Sequence, residues 1–186
     1  MLDVLRPGVL DGVSVCVAGR GGAVAARLAA LGAAVVSLDA DLADEDAVAA
    51  AVGALRRIDV LVVDGAASFA DAGAGMAGLR AAVDGGWNAV RAVVNAGWVG
   101  ENGSAGAGGK VVLLAPPSDA GEHAAAVGAA LENTARTLSV EWARFGVRVV
   151  AVRIGDDAQR GELTAFLASP AGDYFTGCSF YPGAAL

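Results

Sequence analysis

Short apolar runs alternate with longer amphipathic segments along almost the whole chain. The runs are bounded by glycine or polar residues and have the length and β-branched content of buried strands. They span residues 13–17, 34–38, 59–63, 110–114, 147–154 and 178–181. Helices are predicted between them, at 23–31, 44–55, 79–99, 124–145 and 162–167. This alternation is typical of a parallel sheet covered on both faces, so we predict one Rossmann-like α/β domain over residues 1–186.

Two small-residue segments interrupt this pattern. Residues 65–78 form a loose Ala/Gly stretch, and the Gly/Ser-rich stretch 100–109 is predicted to be a flexible connector. Asp44, Glu45 and Asp46 open the second helix, where acidic side chains interact favourably with the helix dipole.

The composition is apolar for a protein without a membrane span. Of the 186 residues 55% are hydrophobic and 18% charged, with a mean hydropathy of +0.55. The most apolar stretch, 21–38, is interrupted by Arg27 and falls short of the roughly 20 continuous apolar residues that a span needs. No basic segment precedes an apolar run in residues 1–10, which argues against a signal peptide. We expect a soluble cytoplasmic protein whose apolar surface suits partners.

Charge and metal-ligating residues exclude two classes of function. The net charge of −7 and the absence of a basic cluster make nucleic acid and anionic membranes poor partners. One histidine and two separated cysteines cannot form a zinc site, so we expect no metal. Cys16 and Cys178 lie in strand-like runs and are interpreted as small core residues.

Five segments, in order, resemble the short-chain dehydrogenase/reductase family. They correspond to its D-x-T-D-x-x-x-V stretch, the strand before its N-N-A-G motif, the strand of its catalytic serine, the catalytic helix with the next strand, and the C-terminal signature. The matching residues are 41–48, 57–62, 109–114, 137–152, and 166–170 with 174–177. The resemblance implies a Rossmann fold, an NAD(P) cofactor and reduction of a carbonyl.

The chain is shorter than this family pattern at two places. Residues 37–41 pass directly from the second strand into the D-x-T-D-like stretch, where the family has a further helix and strand. After Gly155 only a short link replaces the family's substrate lid. We therefore predict a doubly wound sheet that lacks one helix–strand unit, and a site without one edge of the cofactor cleft or most of its roof.

The residues that the resemblance implies for catalysis are missing. Family members use a tyrosine whose pKa is lowered by a lysine one helical turn later, together with a serine and an asparagine. The corresponding positions in this sequence are, in that order, Ala124, Gly128, Pro116 and a position near Ala82. Residues 63–66, with the sequence Val-Asp-Gly-Ala, stand where the family has its N-N-A-G motif.

No shift of the alignment restores a Tyr-x-x-x-Lys motif. Lys110 is the only lysine and begins its strand, whereas Tyr174 and Tyr181 are expected far from the catalytic helix. His123 and Ser118 are the substitutes that remain, and both are interpreted as structural or surface residues. We therefore predict no catalytic residue.

The glycine loop leaves two interpretations open. Gly19, Arg20, Gly21 and Gly22 follow the first strand and could offer backbone amides to a phosphate, with Asp39 placed to accept the ribose hydroxyls of NAD. Alternatively, the glycines merely turn the chain from strand to helix. Because the loop is shortened, we favour the turn and expect no cofactor, with NAD(H) as the alternative.

Three tryptophans, Trp87, Trp98 and Trp142, lie on the two long helices that form the dimer interface in the resembling family. Tryptophan often anchors interfaces, although burial in the chain's own core is an equal alternative. The C-terminal segment 174–186 resembles the family's second interface. The leading hypothesis is a non-catalytic subunit, in a homo- or hetero-oligomer, that stabilises or regulates an active short-chain dehydrogenase/reductase. The alternatives are an atypical NAD(P)-dependent oxidoreductase and a nucleotide-sensing module.

Overall fold

The computed structural model describes residues 5–100, 103–104 and 106–181. Its centre is a six-stranded sheet in which every neighbouring pair of strands is parallel, with the order β2-β1-β3-β4-β5-β6. The strands are β1 (Ser14–Ala18), β2 (Ala34–Leu38), β3 (Val60–Asp64), β4 (Gly109–Leu114), β5 (Val147–Val152) and β6 (Ser179–Phe180). Each strand predicted from the sequence is present, with ends that differ by at most two residues.

Helices cover both faces of the sheet. They are α1 (Gly22–Ala30), α2 (Glu45–Gly53), α3 (Gly65–Asp71), α4 (Gly75–Val93), α5 (Ala124–Glu141) and α6 (Asp157–Ala168). Helix α1 packs against α6 on one face, and the buried residues of α2, α4 and α5 share a core cluster on the other. A π-helical turn, Val94–Trp98, extends α4, and short 3-10 helices follow α5 and α6. The predicted three-layer, doubly wound Rossmann-like architecture is confirmed.

The central strands are apolar at most of their positions because both of their faces are buried. In β3, Val60 and Val62 join the core beneath α1 and α6, while Leu61 and Val63 join the core beneath α4 and α5. Alternate residues of a strand point to opposite faces, so each must be apolar when helices cover both.

Strand β2 forms one edge of the sheet. In a doubly wound sheet of order 3-2-1-4-5-6, one more strand lies outside this position. Within the described ranges no strand pairs with the outer side of β2, and Leu38 is followed after a short turn by Asp44, the N-cap of α2. The predicted loss of one helix–strand unit is thus visible as a sheet edge.

Three sequence predictions need correction. Residues 65–78 are not a loose stretch, because α3 and the first turn of α4 form there. The carboxylate of Asp64 accepts a hydrogen bond from the Ala67 amide and so caps α3, whose alanines favour helix. Helix α6 begins earlier than predicted, at Asp157, because Asp156 caps it. In the predicted connector, Gly109 belongs to β4, and residues 101, 102 and 105 lie outside the described residues.

Side chains at the amino ends of the strands hold the layers together. Lys110 donates to the carbonyls of Leu167, Ala168 and Ser169, at 3.4, 3.1 and 2.6 Å, and pairs with Asp173 at 2.6 Å. These carbonyls end α6, where a cation interacts favourably with the helix dipole. The prediction that Lys110 lies at the start of its strand is confirmed, and its charge serves the fold.

None of the helices that the structure describes is both long and apolar enough to cross a membrane.

Candidate functional site

The largest cleft lies beyond the carboxyl ends of the central strands, where doubly wound sheets bind ligands. It has a volume of about 450 Å³ and lies between the glycine loop, α3, the segment after β4 and the start of α6. Its walls include Arg20, Asp64, Pro116, Gly155 and Arg160.

The glycine loop makes a tight turn that only glycine can follow. Gly19 and Gly21 have φ values of 94° and 62°, a region that other residues rarely adopt. A Cβ on Gly21 would lie 2.5 Å from Cγ1 of Val17, and one on Gly19 would lie 3.2 Å from Cβ of Asp64. Close packing between strand, loop and β3 therefore requires these glycines even without a ligand.

The buried carboxylate of Asp64 occupies this loop. Its Oδ2 accepts a hydrogen bond from the Gly21 amide at 3.1 Å, its Oδ1 accepts one from Ala67, and the residue is only 6% exposed. Of the neighbouring amides, that of Gly22 donates to the carbonyl of Arg20, and that of Val24 to the carbonyl of Gly21.

A pyrophosphate needs free amides and a positive potential at this point. Here it would meet a carboxylate that already holds the Gly21 amide, and the Gly22 and Val24 amides already donate within the loop. The residues of the loop, in this arrangement, do not fit a dinucleotide pyrophosphate.

The predicted nucleotide-binding residues do not all line one cavity. Arg20, Gly21 and Gly22 line the cleft, but the Arg20 side chain pairs with Asp71 of α3. Asp39 is exposed beyond the end of β2 and does not line the cleft. The structure therefore does not bring Asp39 together with the glycine loop around one cavity.

A second cleft of about 420 Å³ lies beside the first, and Pro117 and Gly155 line both of them. It lies at the carboxyl ends of β4, β5 and β6, and its lining includes Ser118, Asp119, Arg153 and Tyr181. The Arg153 guanidinium stacks over the Tyr181 ring, 4.4 Å from its centroid.

Tyr181 is not far from the helix α5, contrary to the sequence prediction. Its hydroxyl donates to Glu132 of α5, because β6 runs beside β5 and ends level with that helix. The sequence prediction failed because it measured distance along the chain, whereas a parallel sheet brings the ends of successive strands together.

Solved structures similar to this chain are dehydrogenases and reductases. The citronellol catabolism dehydrogenase AtuB of Pseudomonas aeruginosa is 25% identical, with a TM-score of 0.73 and 95% of each chain covered. A short-chain dehydrogenase of Mycobacterium smegmatis is 22% identical, with a TM-score of 0.69 and coverage of 98% of this chain and 96% of that one. The chain shares the fold of these short-chain dehydrogenases and reductases.

Among these structures is a gluconate 5-dehydrogenase of Burkholderia cenocepacia in complex with NADP and tartrate. It is 19% identical, with a TM-score of 0.72, 93% of this chain and 94% of that chain covered. Neither a family model nor a curated protein sequence matches the chain.

Ala124 and Gly128, the positions that the sequence resemblance assigns to the family's catalytic tyrosine and lysine, lie on α5. Ala124, the first residue of the helix, is fully buried and has no polar side-chain atom. Gly128 lies one turn later, where a Cβ would be 2.9 Å from a guanidinium nitrogen of Arg153. An arginine from the end of β5 thus lies against the position to which the resemblance assigns the lysine.

The remaining two family positions are also apolar. Pro116, at the serine position, is buried at the cleft, and Ala82, at the asparagine position, is fully buried on α4. Ser118 is exposed at the second cleft, and His123 lies in a left-handed turn before α5 without capping it. Neither His123 nor Ser118 lines the larger cleft.

The three tryptophans do not share one surface. Trp98 is 2% exposed and donates its indole N–H to the Ile58 carbonyl at 2.7 Å, so it belongs to the core. Trp87, which is 41% exposed, stacks on Trp142 with ring centroids 6.3 Å apart. Of the two alternatives for Trp98, a partner surface or the chain's own core, the structure therefore supports the core.

The cysteines offer no reactive thiol or metal site. Cys16 is buried in β1, and desolvation raises its pKa to about 11. Burial also raises the pKa of Cys178. In the described part of the chain, no cluster of His, Cys, Asp or Glu could hold a metal ion.

Sequence reasoning missed Asp64 and Arg153. Both are charged residues at the carboxyl end of an otherwise apolar strand, where a charge is rarely placed without a purpose. Attention to strand-terminal charges, in addition to family positions, would have identified them.

Proposed function

We propose that this chain is a non-catalytic subunit of the short-chain dehydrogenase/reductase family that associates with an active family member as a structural or regulatory partner. The observation that carries the proposal is the position of Asp64, whose buried carboxylate holds the amide that a nucleotide phosphate would need. No resident cofactor is expected on this basis.

The composition of α5 supports the absence of hydride-transfer chemistry. A tyrosine with an ordinary pKa near 10 is a poor proton donor at neutral pH unless a nearby cation lowers that pKa. Ala124 has no proton to give, and Gly128 has no charge. The one lysine is bound to the end of α6.

The exposed apolar side chains of α4 and α5 support a partner. Trp87 and Trp142 form a stacked pair between the two helices, and Val140 is 77% exposed two residues before Trp142. Large apolar groups in such a position often mark an interface.

Co-purification from the source cells tests the proposal. The tagged chain should retain a second short-chain dehydrogenase/reductase at a fixed stoichiometry, and the purified pair should re-form after separation. Val140→Asp should abolish the complex, because a charge would be desolvated at the interface.

Met76→Asp is the matched control, because Met76 is also an exposed apolar residue but lies in the first turn of α4. It should leave the complex intact. A chain that stays monomeric and alone in its source cells, or a complex indifferent to Val140→Asp, would refute the proposed partner role.

The alternative is an atypical NAD(P)-dependent oxidoreductase, and the retained cleft of about 450 Å³ favours it. Calorimetry with NADH and NADPH distinguishes the two functions. The subunit proposal predicts no heat of binding at roughly millimolar cofactor, whereas micromolar binding followed by carbonyl turnover would establish the enzyme.

A further inference from the structure

We propose that the second cleft is a binding site for a small hydroxycarboxylic acid, with the guanidinium of Arg153 holding the carboxylate. The inference goes beyond the subunit role, because it concerns a different cavity and does not require a partner protein or a nucleotide.

The argument begins with the surroundings of Arg153. The side chain is half-buried between Gly128 of α5 and the ring of Tyr181. Among the residues that the structure describes, no carboxylate forms an ion pair with this guanidinium, and no side-chain hydrogen bond involves it. Other arginines near the carboxyl ends of the strands, such as Arg20 and Arg160, each pair with an aspartate.

The acidic side chains near Arg153 either bond to other residues or lie too far from its guanidinium to form an ion pair. Glu132 receives the Tyr181 hydroxyl and pairs with Arg136. Asp119 lines the same cleft but lies beyond ion-pair distance from Arg153. The planar guanidinium therefore presents its donors to the cavity while its flat face is fixed on an aromatic ring, which is an arrangement suited to bidentate binding of a carboxylate.

The other polar groups of the cleft determine the rest of the ligand. Asp119 can accept a hydrogen bond, and the hydroxyl of Ser118 can donate or accept one, so a hydroxyl group on the ligand would have partners. Asp119 also disfavours a second anionic group beside it. A volume of about 420 Å³ lies within the range of small-molecule pockets.

The absence of a side chain at Gly128 is part of the site. A Cβ there would lie 2.9 Å from Nη1 and 3.1 Å from Cδ of Arg153. The glycine thus leaves room for the guanidinium at the position where the family has its lysine. The positive charge here therefore comes from Arg153 at the end of β5 instead of from a lysine on α5, and it faces the second cleft.

Titration of the full chain with four probes, followed by NMR or calorimetry, tests the proposal. Lactate should bind, propionate, which lacks the hydroxyl, should bind several-fold more weakly, and lactamide, which lacks the charge, should not bind. Phosphate that binds as tightly as lactate would overturn the assignment to a hydroxy acid. No binding of lactate at roughly 10 mM would overturn the site itself.

Variants locate the binding. Arg153→Gln should lower lactate affinity about tenfold or more, and Arg153→Lys should lower it less, because the charge remains while the bidentate geometry is lost. Arg144→Gln is the matched control, since Arg144 also stacks on an aromatic ring, 4.5 Å from the Phe145 centroid, at the far end of α5. Unchanged affinity in a folded Arg153→Gln protein would overturn the proposal, while the partner assay above would be unaffected by this result.

Discussion

The amino and carboxyl ends of the sheet use their polar side chains differently. At the amino ends Lys110, Asp59 and the indole of Trp98 all bond to the chain itself, joining strands to helices or to one another. At the carboxyl ends Asp64 is likewise bound inward, but Arg153 faces a cavity. In related folds the carboxyl ends carry function and the amino ends carry stability. Here Asp64, at the carboxyl end of β3, also has a structural role.

The largest expected effect on stability is at the amino ends of the strands. Trp98→Ala removes a buried indole and its hydrogen bond to Ile58, and should lower the free energy of unfolding by about 3–5 kcal/mol. Urea denaturation followed by circular dichroism measures it. Trp87→Ala, at an exposed tryptophan, should cost less than about 1 kcal/mol in the isolated chain. Equal losses would contradict the distinction between core and surface tryptophans.

Lys110→Met should give the next largest loss. The substitution keeps the aliphatic stem but removes the contacts to three carbonyls and Asp173, which we expect to cost about 2–3 kcal/mol. Hydrogen exchange should show the last turn of α6 opening first. If unfolding of this variant matches that of the native chain, Lys110 does not anchor α6.

The sequence predicted the sheet well because burial on both faces leaves a strong apolar pattern. Every strand from β1 to β6 was placed, and so was the missing unit after Leu38. Helix α3 was missed because its start depends on the Asp64 cap and its alanines show no amphipathic period. The site was harder to predict. The resemblance assigned the tyrosine and lysine positions to Ala124 and Gly128, but only the register of β5 and β6 brings Arg153 to Gly128 and Tyr181 to Glu132.

Asp64→Asn tests whether the carboxylate at the carboxyl end of β3 stabilises the fold. The amide keeps an acceptor for one backbone N–H but loses the charge, so we expect a loss of about 1 kcal/mol in the free energy of unfolding. Asp64→Ala should cost about 2 kcal/mol, because both the Gly21 and Ala67 amides lose their acceptor.

The Asp64→Asn variant also tests whether the carboxylate prevents nucleotide binding. If the carboxylate is what excludes a phosphate, Asp64→Asn should bind pyrophosphate more tightly than the native chain does, as measured by calorimetry. Asp59→Asn, at the amino end of the same strand, is the matched control and should leave pyrophosphate binding unchanged. Tight binding to the native chain itself would show that Asp64 does not block the loop.

The smallest expected effect is on the stability of Arg153→Gln. A side chain that is present for the fold has partners, and its removal leaves them unsatisfied, as at Lys110. Arg153 has one stacked ring and no ion pair with a described residue, so its loss should cost no more than about 1 kcal/mol. Thermal and urea denaturation of Lys110→Met and Arg153→Gln at one pH therefore compares the stability lost at each site. A large loss indicates a cation that stabilises the fold, and a small loss indicates one that is available to a ligand. If Arg153→Gln destabilises the chain as strongly as Lys110→Met does, the two ends of the sheet are alike, and Arg153 is a structural residue.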